Sequence, residues 1–304
     1  MRNWSMKKIV LTLLSIMVIA YGIGAIILFT SPQGVFNGES GRFDINEEKT
    51  SAISGINEIN IGTASTSINI IESDSSEIKA HLYGNVTTSS KYQKPDLEFN
   101  LRGDSLTINV KNRTTVTFGF FNSSLKLDVF IPKDYNKDLK LNTSSGSINI
   151  KNLKLNSLSM STASGSSNIE NITAKDFSHS SSSGSLRADG LITEKAKSSS
   201  SSGSRRLFNF TGDLTTNSSS GSTEIQYSSF NNSIKANASS GSISITLPDN
   251  AEFELQANAS SGSIKCDFPI TMKESSRNRL AGTVGSGANK ISINTSSGSI
   301  RVNK

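Results

Sequence analysis

Apolar and polar residues alternate through the second half of the chain, and the alternation restarts at a short Ser-Gly-Ser word. Residues seven and five positions before its glycine, and two and four positions after it, are mostly apolar. Successive side chains of a strand point to opposite faces, so each copy is predicted to be a strand, a corner and a second strand. The corner glycines are Gly146, Gly165, Gly184, Gly203, Gly221, Gly241, Gly262 and Gly298.

The spacing of these glycines predicts the architecture. They follow one another at intervals of 19, 19, 19, 18, 20, 21 and 36 residues. A flexible Ser/Gly linker has no reason to keep a period, whereas stacked coils that bury a face only against their neighbours require one. We therefore predict an all-β fold: a parallel β-solenoid of roughly 18–21-residue coils with a β-rich N-terminal cap, preceded by one transmembrane helix. Glycine is expected at the corner because it adopts positive φ without a Cβ penalty.

One coil departs from the pattern. Around Gly203, the apolar columns contain Ser198 and Arg205. Burying polar groups in an apolar column costs free energy, so this coil is predicted to be the least stable and to contain a local bulge.

The N-terminal pattern is different, because residues 9–29 contain no charge and are almost entirely apolar. At about 1.5 Å rise per residue, such a run crosses a hydrocarbon core of roughly 30 Å. Arg2, Lys7 and Lys8 precede it, which predicts a cytoplasmic N-terminus and a C-terminal domain outside the cell membrane. A cleaved signal peptide is the alternative, although its apolar region is normally shorter.

These patterns divide the chain into five predicted segments. They are a cytoplasmic stub (1–8), a transmembrane helix (9–30), a tether (31–49), a β-rich cap with the first coil (50–140) and the repeat solenoid (141–304). The first coil is expected to begin near Ile59, with Thr66 in the place of the glycine. Residues 272–290 occupy the longest interval and are expected to form a hairpin or loop before the last coil.

Charge and cysteine content narrow the function classes. The formal net charge is +6, and three of those charges are Arg2, Lys7 and Lys8, which leaves +3 for the rest of the chain. That charge is too small and too scattered to predict nucleic-acid binding, which uses a clustered basic face. Cys266 is the single cysteine, so no disulfide framework is expected despite the predicted exterior location.

The residues give little sign of catalysis. His179 lies in a repeat column and is interpreted as a structural histidine, and His81 is expected to be exposed to solvent. Cys266 stands in a column of aliphatic residues and is interpreted as a small buried hydrophobe. The acidic residues Glu72, Asp74 and Glu77 could ligate a hard cation, but a solvated turn is the favoured interpretation. No catalytic residue, cofactor or metal site is predicted.

A family resemblance adds to this picture. The N-terminal apolar run, the segment VFIPKDY (129–135) leading into LKLNTSSGSINI (139–150), and the ladder of corners together resemble the bacterial "putative adhesins" of the LiaG-like type. That resemblance implies a membrane-anchored extracytoplasmic protein, in some cases linked with cell-envelope stress. Many such proteins carry an acidic residue after the corner glycine, where this chain has serine in every copy.

We therefore expect a non-catalytic binding module, adhesin-like, that contacts a cell-envelope or surface component through a long hydroxyl-rich face. The alternative is an accessory component of envelope-stress sensing that signals through a membrane-protein partner. A third hypothesis assigns the Ser/Thr ladders to ice or sugar binding. Nucleic acid is not an expected partner.

Overall fold

Two rows of strands meet along the Ser-Gly-Ser corners and enclose a narrow apolar interior. The computed structural model describes residues 13–21, 41–88, 93–111 and 121–304. Their strands are β1 (Gly41–Ala52), β2 (Glu58–Thr63), β3 (Ser67–Ser73), β4 (Glu77–Thr88), β5 (Asp96–Arg102), β6 (Ser105–Lys111), β7 (Phe121–Pro132), β8 (Asp138–Thr143), β9 (Ile148–Lys151), β10 (Lys154–Thr162), β11 (Ser167–Ser181), β12 (Leu186–Ser200), β13 (Arg205–Ser218), β14 (Thr223–Tyr227), β15 (Ile234–Ala238), β16 (Ile243–Thr246), β17 (Phe253–Ala259), β18 (Ile264–Cys266), β19 (Thr271–Ser276), β20 (Arg279–Val284), β21 (Asn289–Thr295) and β22 (Ile300–Asn303).

The strands that enter the corners form one row and the strands that leave them form the other. The entering row runs in space β5-β6-β2-β8-β10-β11-β12-β13-β15-β21-β17-β20-β19, and the leaving row runs β1-β4-β7-β3-β9-β11-β12-β13-β14-β16-β22-β18. Strands β11, β12 and β13 are long enough to contribute to both rows. Pairing between successive coils is parallel, as in a solenoid, and antiparallel pairs occur toward the two ends.

The coils do not stack entirely in chain order. The first coil is β2 and β3, whose strands pair with β8 and β9 and whose corner is at Thr66. At the other end, β21 pairs with β15 on one side and with β17 on the other, and β22 likewise lies between β16 and β18. The C-terminal coil is therefore inserted between the two coils that precede it in the sequence.

The interior is built from the alternating columns that the sequence shows. In β11 the inward residues include Ile169, Ile172 and Phe177, each no more than 3% exposed. The alternation slips wherever two successive residues point outward, at 170–171 and again at 175–176. Each slip turns the chain, so the central coils have further bends besides the Ser-Gly-Ser corner.

Asparagine builds the first of these bends. Asn152, Asn171 and Asn209 have φ of 56°, 53° and 50°, and Gly190 takes the equivalent position with φ of 70°. Each lies six residues after a corner glycine. Asn171 Nδ2 donates to Asn152 Oδ1 at 3.2 Å, so the amides also bond between coils. Asparagine tolerates the left-handed region better than most residues, which explains its use here.

The coil around Gly203 is irregular, as predicted. The pairing of β12 with β13 shifts between Ile192 and Lys195, and that of β13 with β14 shifts between Leu207 and Phe210. The interval of 18 residues after Gly203 is one shorter than the interval before it. One residue of β12 therefore has no counterpart in β13, and the register shifts there. Gly212 lies at this shift with φ of 138°.

The predicted tether, 31–49, is wrong from Gly41 onward. Residues 41–52 form β1, which pairs antiparallel with β4 along its whole length. Ile45 is its one buried side chain, while Lys79 of β4 pairs with Glu48 at 2.9 Å. Cross-strand pairing with β4, rather than apolar burial, fixes this edge strand, and charged edges also discourage unwanted strand addition. Residues 31–40 lie outside the described part of the chain.

Antiparallel strands extend both rows at the N-terminal end of the solenoid and the entering row at the other end, where the leaving row ends at β18. At the N-terminal end, β5 and β6 cover the entering row and β7, β4 and β1 cover the leaving row. At the other end, β19 and β20 form a hairpin in the predicted interval, and β20 pairs with β17. Exposed strand edges template further pairing, so these additions protect the stack.

Of the predicted N-terminal segment, residues 13–21 are described and are helical. Among the described residues, no helix combines the length and the apolar character needed to cross a membrane. The stub (1–8) and the remaining residues of the predicted transmembrane helix (9–12 and 22–30) lie outside the described residues.

Candidate functional site at the corner column

The structure places the eight predicted corner glycines in one column. A Cβ built on any of them would meet the carbonyl oxygen of the neighbouring corner residue, far inside the 3.0 Å limit for real contacts. That neighbour is Thr66 for Gly146, Gly241 for Gly298 and Gly298 for Gly262. The expected reason for glycine was wrong, because none of the eight has positive φ. Glycine is needed here because successive corners lie too close for a side chain.

A buried hydroxyl closes most of these corners. The residue three positions before the glycine accepts a hydrogen bond from the glycine N–H, for example Gly165 N to Thr162 Oγ1 at 2.9 Å and Gly203 N to Ser200 Oγ at 2.9 Å. The same hydroxyl can donate to the glycine carbonyl, as Ser181 Oγ does to Gly184 O at 2.7 Å. Small hydroxyl residues therefore stand at this position because they satisfy the backbone of a tight turn.

A groove of about 770 Å³ runs along the entering row beside the corner column. Its outward lining consists of serine hydroxyls and asparagine amides, and none of the described residues that line it carries a charge. The lining residues are Thr143, Ser144, Ser161, Thr162, Ala163, Ser180, Ser181, Ser182, Ser199, Ser200, Ser201, Asn217, Ser218, Ser219, Asn237, Ala238 and Ser239. They come from six successive coils, which at about 4.8 Å per coil span roughly 24 Å.

The polar groups of this groove fall into two sets. Toward the C-terminal coils the asparagines bond to one another: Asn237 Nδ2 donates to Asn217 Oδ1 at 3.0 Å, and Asn294 Nδ2 donates to Asn237 Oδ1 at 3.1 Å. Along the whole groove, serine hydroxyls are exposed and have no hydrogen-bond partner among the described residues. These serines include Ser161, Ser180, Ser182, Ser199, Ser201, Ser219 and Ser239. They are free to bond to an external molecule.

Toward the cap the groove continues into a second depression of about 590 Å³, with which it shares Thr143, Ser144 and Ser161. Glu98 and Lys111 of the β5–β6 hairpin line this part and form an ion pair at 3.7 Å. The uncharged groove is thus bounded at the cap by a charged pair.

The other candidate residues do not come together. His81 Nε2 lies 2.7 Å from Asn46 Oδ1 and its ring stacks on Tyr83. Cys266 lies half-buried on the outermost coil, and burial raises the pKa of its thiol. Asp74 pairs with Lys133 at 2.8 Å. In the described part of the chain, no three His, Cys, Asp or Glu residues are grouped to hold a metal ion. His179 points into the solenoid interior.

Solved structures of several bacterial proteins match this chain over most of its length. A putative adhesin from Parabacteroides merdae is 14% identical, with a TM-score of 0.46 over 88% of this chain and 98% of that one. A putative lipid binding protein from Parabacteroides distasonis is 19% identical, with a TM-score of 0.44 over 88% and 98%. A putative cell adhesion protein from Clostridium sporogenes is 11% identical, with a TM-score of 0.34 over 86% and 99%.

No curated protein matches the sequence. The sequence model of one family does match, and it covers residues 56–303, which include every coil from the Thr66 corner to the inserted C-terminal coil. The chain belongs to the Toastrack DUF4097 family.

Proposed function

We propose that this protein is a non-catalytic, adhesin-like binding module of the cell envelope, and that its uncharged groove contacts a neutral, hydroxyl-rich envelope component such as a polysaccharide. The observation that carries the proposal is the row of exposed serine hydroxyls without partners along a groove without charge. Hydroxyls both donate and accept hydrogen bonds, as sugar hydroxyls do, so the two surfaces are complementary.

The regular stack supports this role energetically. Ladder pairing fixes each coil against its neighbours, so the serines are held in position before a ligand arrives. A single exposed hydrogen bond contributes only about 0.5–1.5 kcal/mol. A polymer that follows the groove over several coils can make many of them, which favours long ligands over single sugars. Because the groove is uncharged, binding should depend little on salt.

The binding proposal is tested with groove and control variants of the full-length protein. Ser180→Glu combined with Ser199→Glu places charge in the groove, whereas Ser166→Glu combined with Ser185→Glu places it on exposed serines beyond the corner. Retention on purified cell-wall polysaccharide, at low and high salt, is the measurement. The groove pair should lose retention and the control pair should keep it. Equal retention of both pairs would remove the groove from the proposal.

We also propose that residues 9–30 anchor the protein in the cell membrane with the N-terminus in the cytoplasm and the solenoid outside. The uncharged run of 9–29 and the preceding Arg2, Lys7 and Lys8 support this orientation. An epitope after Lys304 should be cut by protease added to cells whose wall has been removed. Protection of the epitope would overturn the orientation.

The LiaG-like resemblance supports a second candidate, an accessory of envelope-stress sensing that couples to a membrane-protein partner. Within the predicted helix, Ala20 and Gly24 form a small-x-x-x-small pair of the type found where helices associate. Replacing residues 9–29 with an unrelated anchor separates the two functions. A displayed binding module should keep its surface attachment, whereas a sensor should lose its response to envelope-damaging antibiotics.

A further inference from the structure

Four successive coils in the middle of the solenoid have a polar interior. The inward column of the entering row contains His179, Ser198 and Thr216 in adjacent register, where its neighbours are Met160 and Ala236. The facing column of the leaving row contributes Ser167, Arg205 and Thr223, and the apolar Leu186 lies between Ser167 and Arg205. All six polar residues are 2% exposed or less, so these polar groups are shielded from bulk water.

Arg205 crosses this interior. Its Nη1 donates to the backbone carbonyls of Ser198, at 3.2 Å, and Asn217, at 2.5 Å, and its Nη2 donates to Thr223 Oγ1 at 3.0 Å. These contacts place the guanidinium against the column that contains Ser198 and Thr216. Among the described buried residues there is no Asp or Glu, so every acceptor of Arg205 is neutral. Burying a cation without a counter-charge is strongly unfavourable.

The same region contains four buried atoms with no hydrogen-bond partner in the described chain. They are Ser167 Oγ, His179 Nε2, Arg205 Nε and Thr216 Oγ1. Arg205 Nε–H can only donate, and both hydroxyls can donate. His179 Nδ1 lies 3.4 Å from Ser198 Oγ, and when that hydroxyl donates to Nδ1 the ring proton is on Nε2. The region therefore offers unmatched donors beside an unmatched positive charge.

We propose that the interior of these coils holds a small monovalent anion, such as chloride, bound to Arg205 Nε–H, with Thr216 Oγ1 and His179 Nε2, one coil to either side, as its candidate second donors. An anion supplies both things that the described residues lack, a negative charge and an acceptor for unmatched donors. Burial lowers the pKa of Arg205 only to about 10, so it stays cationic at neutral pH. Water would satisfy the donors but would leave the charge uncompensated.

Burial also determines how the anion would enter. Because Arg205 is 1% exposed, exchange requires opening of the coils, and the anion is expected to be incorporated when the chain folds. The test therefore refolds the full-length protein in detergent, in buffers of equal ionic strength that contain either chloride or the much larger organic anion gluconate.

The melting temperature should be higher in chloride than in gluconate by about 2–4 °C, and it should rise with chloride concentration. Arg205→Met should abolish that dependence. The matched control is Arg206→Met, because Arg206 is the next residue, is exposed and pairs with Glu224. Equal chloride dependence of both variants, or none in the wild type, would overturn the proposal.

A second measurement does not depend on a variant that folds. The wild-type protein refolded in bromide and crystallised should show an anomalous difference peak within hydrogen-bond distance of Arg205 Nε. A water molecule at that position, with no anomalous signal, would overturn the proposal.

Discussion

The corner of Gly298 rests on the carbonyl oxygen of Gly241, although 57 positions separate the two residues in the sequence. Gly262, which follows Gly241 in the chain, instead lies beyond Gly298 at the end of the column. The β19–β20 hairpin supplies the connection that allows the chain to return. The outermost coil therefore precedes the C-terminal coil in the sequence, but it stacks on the C-terminal coil in space.

Because the C-terminal coil is inserted, Ile293 is expected to stabilise the strands on both sides of it. Its side chain is fully buried, and it pairs with Ala236 of β15 and with Ala257 of β17. Ile293→Ala should cost about 2–5 kcal/mol of unfolding free energy. Amide hydrogen exchange should increase in both β15 and β17, while β8–β11 keep their protection. Ser292→Ala, on the outward side, is the control. Increased exchange in β17 alone would contradict the insertion.

The corner column predicts a large cost for any side chain there. In Gly184→Ala the new methyl group would meet Gly165 O and the Thr162 side chain. Backbone on both sides is held by coil-to-coil hydrogen bonds, such as Ser183 N to Ala163 O at 2.8 Å, so it can move little. We expect a loss of about 3 kcal/mol in urea unfolding. Ser183→Ala, exposed at the same corner, should change stability by less than about 0.5 kcal/mol. Similar values for both variants would show that the corners tolerate a Cβ.

The buried hydroxyls predict a separate effect. Thr162→Val keeps the side-chain shape but removes the oxygen that accepts from Gly165 N, so a buried N–H loses its partner. The expected cost is about 1–3 kcal/mol of unfolding free energy. Ser161→Ala, whose exposed hydroxyl makes no bond within the described chain, is the control and should be nearly neutral. A neutral Thr162→Val would mean that the corner is closed by other contacts.

Much of this fold can be predicted from the sequence, because a periodic pattern repeats the same information many times. The columns around the eight glycines predict both the inward faces and the parallel register. The order of the last two coils cannot be predicted in that way. Gly262 and Gly298 both occur in the sequence Ser-Ser-Gly-Ser, so the repeat pattern allows either of them to be the neighbour of Gly241. The antiparallel pairing of β17 with β20 distinguishes them, and it is a tertiary contact.

Two further features of the fold do not follow from the apolar columns. The sequence does carry a signal for the asparagine bend, since Asn152, Asn171 and Asn209 recur six residues after a corner glycine, but that signal lies in polar residues outside the apolar columns. Strand β1 carries mostly charged and polar residues, and its pairing with β4 depends on a partner that the local sequence does not reveal. The groove can be located only after the inward register is known, because that register determines which serines face outward.

The buried histidine predicts how stability depends on pH. Burial, and to a smaller extent the charge of Arg205, lower the pKa of His179 from 6.5 to about 4 in the folded state. The unfolded chain therefore binds the proton more readily, and stability falls as the pH drops from 6.5 toward 4. The full loss from this group is about 3 kcal/mol.

His179→Met isolates this contribution, because Met160 occupies the same column in the preceding coil. Measured in gluconate buffer without chloride, the unfolding free energy of wild type minus that of the variant should be constant above pH 7 and should decline steadily from pH 6.5 to pH 4.5. Carboxylates whose pKa values are lowered, such as Glu58, lose their contribution in both proteins and cancel in the difference. A difference that stays constant across this range would mean that His179 is protonated equally in the folded and unfolded chains, which is incompatible with its burial beside Arg205.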